Sequence, residues 1–100
     1  MRINLYTPPD ANRVLRGAWL ISDVNRSASS SAYCTVSVGI AKGTDADYYG
    51  SYTGSTTNIK ADGPLRIVNG TQKIAANRVV VAEVDRTATA SLLGLSVQVA

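Results

Sequence analysis

The 100-residue sequence has no histidine, no phenylalanine, one cysteine and one tryptophan. Without histidine there is no imidazole for a catalytic triad, for a metal site or for proton transfer near neutral pH. The single cysteine, Cys34, excludes an internal disulfide and any zinc site built on clustered thiolates. No glycine-rich loop leads into Lys-Ser or Lys-Thr, so the phosphate-binding loop class is absent. No stretch reaches the roughly 18 apolar residues of a membrane helix. Residues 1–9 lack the apolar core and small-residue cleavage site of a signal peptide, so synthesis and folding in a cytoplasm are expected.

Charge is sparse as well. Ten Lys and Arg stand against seven Asp and Glu, a net charge of +3. The basic residues are scattered from Arg2 to Arg86, whereas a nucleic-acid binder concentrates them on one face. No nucleic-acid partner is expected. Asp45 and Asp47 form a close carboxylate pair, but two carboxylates alone make a poor cage for a hard cation, and Asp is favoured in turns. No metal, cofactor or enzymatic activity is expected.

What is present is a β pattern. The apolar share is 45%, ordinary for a globular chain. With Phe missing and Ala, Val, Leu and Ile dominant, the core should be thin, which suits two apposed sheets. Residues 2–7 form a first strand stopped by Pro8 and Pro9, neither of which donates to a ladder. Residues 10–12 complete a turn, and the segment 1–12 is a candidate docking arm. Next come two apolar runs, 13–24 and 32–42, around the Ser-rich tract 25–31; the expectation is a long central β-hairpin. In the second run Cys34, Val36, Val38 and Ile40 alternate with polar or small residues, the period of a half-buried strand. Cys34 therefore reads as a small core residue.

The first run is apolar on both of its sets: Val14, Ala18, Leu20 and Val24 on one, Leu15, Trp19 and Ile21 on the other. A strand apolar on both faces is central or has one face covered by another subunit, which nominates Leu15 and Trp19 as interface residues. Further on, residues 44–53 lead into an aromatic strand, and Asp62-Gly63-Pro64 is a turn. Residues 65–68 and 72–74 flank Asn69-Gly70 as a compact hairpin. Residues 78–85 form a strand with Val80, Ala82 and Val84 inward. The last strand, 91–99, sends Leu93, Leu95, Val97 and Val99 one way. With the sequence ending one residue later, no tail with a separate function is expected.

These segments give a single all-β domain, a two-sheet antiparallel β-sandwich of seven to eight short strands, jelly-roll or immunoglobulin-like. Tyr48, Tyr49 and Tyr52 are its densest aromatic cluster. Such rings pack on a sheet, anchor a protein interface or stack on a sugar. Asn25-Arg26-Ser27 and Asn69-Gly70-Thr71 match the glycosylation pattern, read here as chance without secretion.

Leu5-Tyr6-Thr7-Pro8-Pro9, the run from Arg13 to Ala28 and the Thr35-Val36-Ser37-Val38 strand resemble, in that order, small β-sandwich structural proteins of tailed bacteriophages. Ala46-Asp47-Tyr48, the strand from Ile74 to Val81 and the terminal Gly94-Leu95-Ser96-Val97-Gln98-Val99 extend the likeness over nearly the whole chain. Asn77-Arg78 departs from the family pattern, which has an aspartate before the penultimate strand.

The resemblance implies a non-enzymatic virion protein made in the host cytoplasm. The foremost role is capsid decoration: a cement protein, commonly trimeric, that binds the major capsid protein and stabilises the head. The alternatives are an accessory protein of the tail, neck or fibre, and a carbohydrate-binding module using Tyr48, Tyr49 and Tyr52 on surface glycans. A trimer would cover the second apolar face around Leu15 and Trp19, while Tyr6, Pro8 and Pro9 would dock onto a neighbouring virion protein.

Overall fold

The computed structural model describes residues 1–10 and 13–100. The described residues hold nine strands and no helix. These are β1 (Arg2–Tyr6), β2 (Arg13–Leu15), β3 (Ala18–Ser22), β4 (Cys34–Lys42), β5 (Asp45–Thr53), β6 (Leu65–Val68), β7 (Gln72–Ile74), β8 (Val79–Arg86) and β9 (Leu95–Val99). They build antiparallel sheets of four strands (β1-β8-β4-β5), three strands (β6-β3-β9) and two strands (β2-β7). The pairs are nested: β1 with β8, β2 with β7, β3 with β6, β4 with β5.

The ninth strand, beyond the seven or eight expected, comes from a break at Arg16-Gly17. Leu15 and Ala18 lie three residues apart, yet both are buried, so the inward phase resets between β2 and β3. Gly17 makes the step feasible, because a Cβ there would lie 2.9 Å from the Trp19 ring. Arg16 N–H donates to the Ala100 carbonyl at 2.7 Å, and Ala100 N–H donates to the Gly17 carbonyl at 3.2 Å.

The central hairpin does not form. β4 lies between β5 and β8, while β3 lies between β6 and β9 in another sheet. Alternation records which face is buried and not which strand is the partner. The Ser-rich tract is a crossing between sheets. It is pinned by an Arg26–Ile59 bridge and by Ala28 N–H donating to Asn58 Oδ1 at 2.7 Å.

Asn69-Gly70 is likewise a turn without a hairpin. Gly70 takes φ 89°, but β6 pairs with β3 and β7 with β2, so Asn69-Gly70 interrupts one antiparallel run beside residues 13–22 and does not fold β7 back onto β6. The turn at Asp62-Gly63-Pro64 is present, with Asp62 at φ 55°. The last strand begins at Leu95 instead of residue 91. Gly94 turns the chain at φ 79°, leaving Leu93 84% exposed. The turn expected at residues 10–12 falls partly outside the described residues.

One apolar cluster draws on all three sheets. Leu20, Val36, Val38, Val68 and Val80 have essentially no exposure. The expected inward sets are buried, Cys34, Val36, Val38 and Ile40 on β4 and Val80, Ala82 and Val84 on β8. The alternation is incomplete, since Gly39, Ala41 and Val81 of the opposite sets are buried as well. Short aliphatic side chains fill this core, and Tyr52 is the large ring within it.

Candidate docking surfaces

β1 and β9 are edge strands of different sheets, and an apolar seam lies between them. One stretch of it is a groove of about 240 Å³ lined by Ile3 and Leu5 of β1, Ala82 and Val84 of β8, and Leu95 and Val97 of β9. A second groove, of about 290 Å³, lies among Tyr6, Val14, Val80 and Val99. Ile3 is 42% exposed, and Tyr6 and Val14 are each 38% exposed. β1 is fastened at its start, where the Met1 ammonium donates to Glu83 Oε1 at 3.2 Å and to the Val84 carbonyl at 2.8 Å. The bond to Glu83 raises the amine pKa above its ordinary value.

Residues 2–6 of the candidate docking arm are thus paired to β8. Pro8 follows half-buried and Pro9 exposed. Leu15 is 2% exposed and belongs to the core, so it presents no outer face. Trp19 and Ile21 do face outward from β3, half-buried. The Arg66 guanidinium lies over the Trp19 ring at 5.0 Å, held there by bonds to the carbonyls of Val68 and Arg16. That stacking is a cation–π contact.

The tyrosines separate. Tyr52 opposes Val36 and is 4% exposed, whereas Tyr48 and Tyr49 are 42% and 39% exposed. A register shift in β5 causes the difference. Tyr48 pairs with Gly39 and Gly50 with Val38, which leaves Tyr49 as the extra residue of a bulge. Tyr49 borders a polar cleft of about 650 Å³ with Asp45, Asp47, Lys42, Lys73 and Arg78. The two carboxylates therefore share their cleft with three cations. Among the described residues no group of three or more His, Cys, Asp or Glu is placed to hold a metal ion.

No family model, curated protein or solved structure matches the chain. The side chains themselves carry the remaining assignments. Burial pushes up the pKa of both the Cys34 thiol and the neighbouring Tyr52 phenol. A protonated, enclosed thiol is a poor nucleophile.

Arg26 and Asn25, inside the motif that matches a glycosylation signal, are fasteners. Arg26 donates to Ser22 Oγ at 3.0 Å and to the Ser91 and Leu93 carbonyls at 2.7 Å each. Asn25 Oδ1 accepts from Ala61 N–H at 2.8 Å.

Sequence reasoning passed over the seam. The available signals were the two-residue spacing of Ile3 and Leu5, which puts both on one face, and the lack of any charge in Leu95–Val99. The other outer strands carry charge: Arg2 in β1, Asp45 and Asp47 in β5, Arg66 in β6. Edge strands without charge are prone to pair further.

Proposed function

We propose that this chain is a non-enzymatic structural protein of a bacteriophage particle, a decoration protein that binds the outside of the capsid and stabilises it by contact. The observation that carries the reading is the apolar seam beside an uncharged sheet edge, a surface suited to a protein partner. The resemblance of the Leu5–Pro9, Arg13–Ala28 and terminal-strand motifs to tailed-phage structural proteins supplies the setting. We read the nested strand pairs as a jelly-roll winding of a two-sheet sandwich. Trp19 and Ile21 offer the contact for a trimer, and many modest contacts on a shell would add through multivalency.

The test is to mix the purified chain with expanded capsids and heat them. The expected result is co-sedimentation and a raised disruption temperature. Absence of both, with binding to isolated tails or necks, would move the protein to the tail-accessory role. Light scattering across a concentration series checks the trimer.

A second reading rests on Tyr49 at the rim of the polar cleft. A ring beside carboxylates and cations is the chemistry of a sugar site. It requires binding on a glycan array that Tyr49→Ala abolishes while oligomerisation is unchanged.

A further inference from the structure

From the unequal sheets we infer that the seam is an acceptor for one extended strand of a different polypeptide, added to the free edge of β9. The inference deepens the proposed contact role and rests on it for the partner's identity. One sheet has four strands and the other, excluding the short β2-β7 ribbon, has three. Leu5 of β1 packs against the cluster, and the exposed Ile3 lines the groove beside it, where Leu92, Leu95 and Val97 form the other wall. The two sheets differ by one strand.

The backbone of β9 is set for such an addition. Asp23 N–H donates to the Gly94 carbonyl and Ala100 N–H to the Gly17 carbonyl. The antiparallel alternation between those bonds turns the main-chain groups of Ser96 and Gln98 toward β3. Those of Val97 and Val99 then face the free edge. A strand pairing there would send alternate side chains onto Ile3, Leu5 and Val84. The groove between these residues and β9 has no charged side chain, which selects a strand uncharged on its inner face.

The dimensions favour a strand over a folded second copy. Five residues of edge make a strip about 17 Å long and about 5 Å wide. That is about a tenth of the roughly 800 Å² that each partner buries in a stable complex of folded proteins. A second copy extending the sheet from β9 would also bring its other layer into the space held by β1. Nor does the chain have a strand to spare. Among the described segments outside strands, 23–33 lacks apolar alternation. In 87–94, Ala88, Ala90 and Leu92 alternate with Thr87, Thr89 and Ser91, but the segment is held in place by Arg26 on the Ser91 and Leu93 carbonyls and by Arg86 on the Ala90 carbonyl.

The test joins a donor strand, Thr-Val-Thr-Val-Thr, to Met1 of the full chain through a flexible Gly-Ser linker. The reference is the same fusion with each Val of the donor replaced by Ser, so that both lose the Met1 ammonium equally. The readout is amide hydrogen exchange at Val97 and Val99 together with Tm. The valine donor should slow both amides about tenfold or more and raise Tm, and the serine donor should not. Equal exchange in the two fusions overturns the proposal. Protection that grows with concentration in the unfused chain would assign the seam to a second copy and also overturn it. Because these readouts need no capsid, failure of capsid binding leaves the acceptor standing, and failure here leaves capsid binding standing.

Discussion

Gly50 in β5 lies directly against the main-chain carbonyl of Ile67 in β6, so that a Cβ on residue 50 would collide with it. This contact brings the outer strand of the four-stranded sheet against the outer strand of the three-stranded one. It closes the side of the molecule away from the seam, which makes the two flanks unlike. Gly50→Ala should therefore cost roughly 3 kcal/mol, the upper range for overpacking a close contact. Gly43 has nothing within 4 Å of its would-be Cβ and sits at φ 61°, so Gly43→Asn should be tolerated. Urea unfolding of the two variants checks the contrast, and equal midpoints would refute the closed flank.

Tyr52 and Tyr48 should behave as a core residue and a surface residue. Tyr52→Ala is expected to destabilise by about 3–5 kcal/mol, as for a large buried ring. Tyr48→Ala should stay within about 0.5 kcal/mol. If thermal melts show Tyr52→Ala to be neutral, the placement of β5 is wrong.

Arg26 ties Ser22, Ser91 and Leu93 together through one guanidinium. Its removal in Arg26→Ala should cost about 2 kcal/mol, since hydrogen bonds to charged groups contribute about 1.5–3 kcal/mol each and part is recovered by water. Lys at this position should restore little, because a single ammonium does not reproduce the planar fork. Faster proteolysis within residues 87–94 of Arg26→Ala would show that the loop has been released.

Stability should fall on the alkaline side. The Met1 amine, the Cys34 thiol and the Tyr52 phenol all have pKa values raised in the folded chain, the first mainly by the bond to Glu83 and the others by burial. Each holds its proton more tightly folded than unfolded. Its contribution is whole below the unfolded value and lost as pH climbs through the folded one. The ordinary values are 8.0, 9.0 and 10.0, so Tm should begin to drop above 8.0 and steepen beyond 9.0. Cys34→Ala should flatten the middle of that decline. A Tm that rises over the same range would contradict the shared direction.

Much of the local pattern was legible. The period of two in β4 and β8 marked Val36, Val38, Val80 and Ala82 as core, because a strand presents alternate side chains to one face. The turn at Asp62-Gly63 was also visible in residue type. The hairpins were not, since Asn69-Gly70 makes the same local bend whether the strands around it pair or part. Tyr52 could not be told from Tyr48 because a bulge at Tyr49 shifts the phase between them, and nothing in the residue types marks it. The seam escaped for a related reason. Ile3 and Leu95 are far apart in sequence, and only the fold puts them beside one groove.

By itself, the sequence determined that this chain is all-β, that short aliphatic side chains build its core, and that imidazole chemistry, an internal disulfide and clustered-thiolate sites are outside its reach. Those properties follow from residue identity and spacing alone. The tertiary structure decided which strand lies beside which, where the inward phase resets, and which edge is left uncovered. Every strand offers the same N–H and C=O groups, so the ladder does not name its partner. The choice is made by how the three sheets together enclose one core, and it leaves β9 with a free side.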